Sequence, residues 1–177
     1  MAEKILKILP VAAAFLLLTY TGCSKKNSNP VNPVVNSQDF GSVTLNGSGY
    51  NNTKINFVYN ECAYINSDSN TACIMYGLNN SDTVLVEVIF PGSSVNNYAW
   101  IDYHDTTTIS GVGVIYFNSD GNHEFYVPTA GGNTNITKYG VVGETVEGSF
   151  SGSVEDIVSA STISISGTFK STRLNDE

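Results

Sequence analysis

"ETVEGSFSGSVEDIVSASTISISGTFKST", residues 144–172, decides the fold. In its first half Val146, Gly148, Phe150, Gly152 and Val154 fall on one face, and Thr145, Glu147, Ser149, Ser151 and Ser153 on the other. In its second half Ile163, Ile165, Gly167 and Phe169 alternate with Thr162, Ser164, Ser166, Thr168 and Lys170. A period of two with one apolar and one hydroxyl-rich side is that of a half-buried β-strand. The two runs are expected to pair antiparallel. Setting Phe150 opposite Gly167 and Gly148 opposite Phe169 lays each ring over a bare backbone, which stabilises a sheet. A register shifted by two would pair the glycines with each other, so the first is preferred.

The same grammar extends through the rest of the chain. In "DTVLVEVIFP", residues 82–91, Val84, Val86, Val88 and Phe90 point one way and Thr83, Leu85, Glu87 and Ile89 the other, so both faces are expected to be covered; Pro91 ends the run. Further strands are expected over 41–45, 54–65, 71–78, 98–103, 111–117, 123–127 and 135–139. Nothing repeats at the helical period. The expected class is all-β, an antiparallel β-sandwich of about ten short strands, with a β-barrel as the alternative. The sandwich is preferred because glycine kinks that would bend a closed barrel are not regularly spaced.

The N-terminus carries an address. Lys4 and Lys7 precede an apolar run from Ile8 to Leu18, the layout of a secretory signal peptide. That run is shorter than the roughly 20 apolar residues a spanning helix needs. Thr21-Gly22-Cys23 follows it, and these residues resemble the lipobox of bacterial lipoproteins, with Tyr20 standing where that family usually has an aliphatic residue. The resemblance implies removal of residues 1–22, acylation of Cys23 and attachment to a membrane by lipid. It also implies the outer membrane, because Ser24 and not aspartate follows the cysteine. Lys25 and Lys26, able to lie against anionic head groups, favour its periplasmic face over the cell surface. Residues 23–39 form the acylated cysteine and a flexible Asn/Ser/Pro tether, and residues 40–177 one domain. Cleavage would remove Lys4, Lys7 and Glu3 and take the formal charge from −8 to −9. With Lys54, Lys138, Lys170 and Arg173 scattered, this acidic chain lacks the basic cluster that nucleic-acid binding requires.

"NITKYGVVGETVEGSFSGSV" and the following "ISGTFKSTR" resemble the C-terminal part of uncharacterised envelope lipoproteins of Bacteroidota, through Ile136-Thr137, Tyr139, Gly143, the Gly148–Gly152 run and Gly167–Phe169. What this implies is an envelope β-domain without catalytic residues to carry over.

Four constellations bear on chemistry. Cys62 and Cys73 flank a hairpin whose tip is Ser67-Asp68, and that register sets them directly opposite, so a disulfide is expected after export. The same register puts Phe57, Tyr59, Ile74, Tyr76 and Leu78 on the core face and both cysteines on the other. Tyr98, Trp100, Asp102 and His104 alternate along one side of a predicted strand and would make a platform on which a sugar ring could stack. The bland reading, Trp100 as a core anchor, is preferred. Asn118, Asp120, Asn122 and Glu124 have the alternate spacing of calcium loops. Asp120-Gly121 between apolar runs is foremost a hairpin signal that would scatter those ligands, so no metal is expected.

His104 and His123 are the only histidines, and no nucleophile elbow, HExxH or phosphate loop is present. Asp102, His104 and Asp105 could orient a serine, but the abundant Ser and Thr fit exposed strand faces better. The expected function is a lipid-anchored, non-catalytic binding or structural module of the envelope, without cofactor, whose partners are the membrane and an envelope protein or glycan. Glycan binding through Tyr98 and Trp100, and an envelope hydrolase, are the alternatives.

Overall fold

The computed structural model describes residues 40–105 and 110–176. The expected signal peptide, Cys23 and the expected tether lie outside the described residues. Ten strands follow in order: β1 (Gly41–Gly47), β2 (Tyr50–Ile65), β3 (Asn70–Asn79), β4 (Asp82–Pro91), β5 (Asn97–Ala99), β6 (Gly111–Phe117), β7 (His123–Pro128), β8 (Asn133–Tyr139), β9 (Thr145–Asp156) and β10 (Thr162–Thr172). All pairings between strands are antiparallel, in the order β10-β1-β2-β3-β4-β6-β7-β9-β8-β5, with β9 also paired to β10. That last pairing closes eight strands into a barrel. The all-β expectation therefore holds, and of the two architectures the closed barrel forms, not the preferred sandwich.

The reason lies in how the sheet is bent. Curvature does not come from evenly spaced glycines. Register shifts in β1 between Leu45 and Gly47, in β2 between Phe57 and Tyr59, and in β8 between Ile136 and Lys138 coil the sheet locally, as bulges do. Three glycines, Gly148, Gly152 and Gly167, lie on the two strands of the seam. Gly167 is paired with Phe150 and Gly148 with Phe169, the register read from the sequence. A Cβ on Gly167 would lie 2.5 Å from the Phe150 ring, and one on Gly148 would lie 3.1 Å from the Phe169 ring. The bare backbone of each glycine thus receives the ring of its cross-strand partner.

β9 also serves two strands on its other edge. Its C-terminal end pairs with β7 and its middle with β8, which carries β5. The β5–β8 flap extends from the edge of β9 beyond the closed ring and is fastened by Trp100. The indole is 4 % exposed and donates from Nε1 to the fully buried Thr134 Oγ1 at 3.0 Å. It lies against Gly132 and Gly152, where an added Cβ would sit 2.1 and 2.3 Å from the ring.

Side chains fill the barrel: Val43, Leu45, Ile55, Phe57, Met75, Val84, Val86, Val88, Val112, Val146, Ile163 and Ile165 are all buried. An eight-stranded barrel is narrow enough for this. On β4 the odd-numbered residues are half-buried, so cover on the outer face is partial.

The Cys62–Cys73 disulfide is present, and the two residues are directly paired across β2 and β3. A bridge closing a loop of this size contributes about 3 kcal/mol through the unfolded chain. The faces of this hairpin differ from expectation. Both cysteines point into the core with Met75, while Tyr59 and Tyr76 are 38 % and 37 % exposed and Leu78 is 56 % exposed. The bulge at Val58 is the cause: one extra residue inverts the alternation, so Phe57 is buried while Tyr59, two residues on, faces out.

Gly152→Ala is expected to destabilise the protein by about 2 kcal/mol, because the methyl collides with both the Trp100 ring and the Gly132 backbone. Urea unfolding followed by the fluorescence of Trp100, the single tryptophan, checks both the loss and the displaced indole.

Candidate functional site

Antiparallel connections put the β1–β2, β3–β4 and β6–β7 turns at one end of the barrel. Three tyrosines and two carboxylates meet there. Tyr50 and Tyr126 both donate to Glu124 Oε2, at 3.0 and 2.6 Å. The Tyr116 hydroxyl donates to Asp82 Oδ2 at 3.2 Å and accepts from Asn79 Nδ2 at 2.6 Å. The Tyr50 ring packs 5.4 Å from Tyr116 and 6.4 Å from Tyr126, linking the two halves. Burial, reinforced by the Glu124 carboxylate, raises the ionisation of Tyr50 and Tyr126 well above the phenol range. Burial also raises Tyr116. These hydroxyls stay protonated donors that close the barrel end.

Glu124 is one of the four oxygen residues singled out by spacing, and its role here separates it from the others. Phe117 pairs with His123, so residues 118–122 form a five-residue loop in place of the expected two-residue turn. Inside it Asp120 accepts from the Asn122 backbone at 2.9 Å and from Asn122 Nδ2 at 2.8 Å, which lowers its carboxyl pKa. Gly121 takes a φ of +90°, a conformation that favours glycine. Asn118, Asp120 and Asn122 thus serve the turn, while the Glu124 carboxylate is held by Tyr50 and Tyr126. Among the described residues no three His, Cys, Asp or Glu side chains converge as metal ligands.

At the opposite end, the predicted strand over 98–103 is only β5, Asn97–Ala99. The chain then turns away, with the His104 N–H on Asp102 Oδ1 at 3.0 Å, so Tyr98, Trp100, Asp102 and His104 do not share one strand face. Tyr98 is 8 % exposed, stacks on Phe90 at 5.0 Å, and donates to the Ser94 carbonyl at 2.9 Å. Neither Tyr98 nor Trp100 offers a free ring face. His104 is exposed and packs 3.8 Å from the Tyr103 ring.

Sequence reasoning passed over Arg173, which fastens the chain near this end. Its guanidinium donates to the Gly140 carbonyl at 3.0 Å and Asp176 at 2.7 Å, 4.9 Å from the Tyr139 ring. Its backbone exchanges hydrogen bonds with Gly143 and Glu144, and the next amide, of Leu174, donates to the Cys62 carbonyl. A shallow groove of about 440 Å³ runs beside it, lined by Val142, Gly143, Thr172, Arg173, Leu174 and Asn175.

The outer wall supplies the surface that the two ends do not. Across β2, β3, β4, β6 and β7, cross-strand pairing lines up Tyr59, Tyr76, Leu85, Ile115 and Phe125 as one outward row. Tyr59 and Tyr76 stack at 5.1 Å. Leu78 lies just beyond this row, and Val58, at the bulge, is 39 % exposed. The next row is Glu61, Ile74, Glu87 and Gly113. Glu61 accepts a hydrogen bond from Tyr59. Glu87 is half-buried as a residue, yet its Oε1 is buried and without a partner, and burial pushes its pKa up to about 7. The opposite wall of β9, β10 and β1 is hydroxyl-rich, with Ser151, Ser164, Ser166 and Thr168 all exposed. A closed, side-chain-filled barrel with one apolar and one hydroxyl wall is the class this geometry defines. Comparison with protein-family models, curated proteins and solved structures finds no match to this chain.

Two measurements probe these clusters. Glu124→Ala should lose about 2 kcal/mol in urea unfolding because two phenols lose their acceptor, whereas Asp120→Ala in the exposed loop should cost much less. Glu87, raised from 4.5 to about 7, favours the folded state most below pH 4.5 and loses that contribution as pH rises to 7. Glu87→Gln should therefore stabilise at pH 8 by on the order of 2 kcal/mol, with the gain fading toward pH 4.5. A variant no more stable than wild type at pH 8 would contradict that assignment.

Proposed function

We propose that this chain is an exported, lipid-anchored module of the cell envelope, non-catalytic, that works by presenting the outer wall of its barrel for binding. The observation that carries this reading is the bare cluster of Val58, Tyr59, Tyr76 and Leu78 on one wall of a barrel whose interior is filled. Contiguous apolar surface of this kind marks an interaction site. The carboxylates and phenols at the nearer end are engaged with one another, which suits a scaffold better than a reacting centre. The Cys62–Cys73 bridge supports export, since such bonds persist outside the reducing cytosol. Cys23 is the point of acylation, residues 24–39 are the tether, and the periplasmic face of the outer membrane is the destination.

Mass spectrometry of the protein from its native envelope is expected to find Cys23 as the first residue, carrying a diacylglyceryl group. Cys23→Ser should then leave the membrane fraction. An unmodified N-terminus, or a serine variant that remains bound, would overturn the anchor. Protease added to intact cells should spare the barrel until the outer membrane is permeabilised; immediate digestion would place it on the cell surface.

A further inference from the structure

We propose that the apolar wall of the barrel, built from β2, β3, β4, β6 and β7, docks directly on a lipid bilayer surface, so that the barrel lies on its side against the membrane to which Cys23 tethers it. The proposal rests on the reading of Cys23 as an acylated anchor and goes beyond it: the lipid chains hold the N-terminus, and the barrel wall makes a second contact.

Three observations favour a bilayer over other occupants. The first is shape. The row Tyr59, Tyr76, Leu85, Ile115 and Phe125 crosses five neighbouring strands of a closed barrel, about 20 Å measured around a convex wall at roughly 4.8 Å per strand. A second convex barrel would touch such a wall along a strip, whereas head groups and acyl chains conform to it.

The second is composition. Among the outward residues of that row and the next there is no lysine or arginine to hold the wall in water, and exposed Tyr59 and Tyr76 carry an apolar ring with a polar tip, the side-chain type that settles at membrane interfaces. The opposite wall, with Ser151, Ser164, Ser166 and Thr168, is suited to water. One apolar wall and one hydroxyl wall define a body that rests on a surface. Glu61 and Glu87 are the charges at odds with this wall: Glu61 is engaged by the Tyr59 hydroxyl, and Glu87, its Oε1 buried without a partner, takes up a proton near neutral pH as the wall is covered.

The third is reach. Residues 24–39 separate the anchor from Phe40, which packs against the core just before β1, and β1 is the immediate neighbour of β2. Fully extended, that segment spans roughly 50 Å, so the anchor permits the docked orientation without strain.

The test uses the mature chain, residues 23–177 with Cys23→Ser, so that no acyl chain contributes. Flotation with vesicles of phosphatidylethanolamine and phosphatidylglycerol should carry the barrel upward at millimolar lipid. Tyr76→Ser/Leu78→Ser/Leu85→Ser should lower the partition coefficient by about ten-fold or more, given the apolar area removed. Its folding is checked by far-ultraviolet circular dichroism and Trp100 fluorescence. Glu87→Leu, which keeps the wall intact, should raise partitioning several-fold and decides the matter should the triple variant misfold. Absence of flotation, or flotation unchanged in these variants, overturns the proposal. So does a dimer in lipid-free sedimentation that the triple variant abolishes, which would assign the wall to a second copy. None of these results bears on acylation of Cys23, which mass spectrometry decides separately.

Discussion

The close approach of aromatic rings to bare glycine backbone at the β9–β10 seam is the contact on which the barrel depends. Phe150 over Gly167 and Phe169 over Gly148 bring the two strands together along eleven paired positions, from Thr162–Glu155 to Thr172–Thr145. Without that pairing the remaining ladders would make an open sheet with one greasy face. β9 is held on its other edge by β7 and β8, and Trp100 presses on Gly152 from the flap. The seam is therefore fixed by rings from β9, β10 and the segment after β5. Larger side chains at those glycines would force the strands apart, which is why the seam is narrow in composition as well as in space.

Much of this was legible because it is written in alternation. The faces of β9 and β10, their register, the hairpin that opposes Cys62 to Cys73 and nearly every strand follow from a period of two interrupted by turn residues. What escaped was whatever breaks the period. Val58 and Tyr59 are both good strand residues, and nothing local announces that one of them is extra, so the outward placement of Tyr59, Ile74, Tyr76 and Leu78 was inverted. The same bulges bend the sheet closed where regularly spaced glycines had been looked for.

The chemical residues show a parallel division. Spacing grouped Asn118, Asp120, Asn122 and Glu124, but the fold separates them by long-range partners: Tyr50, which holds Glu124, is 74 residues away in sequence. Trp100 followed the bland reading of a core anchor, since Thr134 and two glycines, all distant in sequence, form its socket. The signal for Glu87 was visible as the lone charge in "TVLVEVIF", but what surrounds its carboxylate depends on cross-strand neighbours Ile74 and Gly113. Local pattern determines which residues share a strand face. Topology determines which of them meet.

Closure by β10 also sets an order of events during synthesis. β1 is among the first segments to emerge, and although β2 pairs with one edge of it at once, its other edge waits for residues 162–172. Until those residues are delivered, β1 and β9 each present an unpaired edge, the feature that recruits foreign strands. The hairpins β2–β3 and β3–β4, made of contacts close in sequence, can form and be covalently locked at Cys62 and Cys73 well before then. A chain interrupted between β9 and β10 would be left as an oxidised, partly formed sheet with two adhesive borders, so β10 governs whether this protein ends as a closed body or as a seed for aggregation.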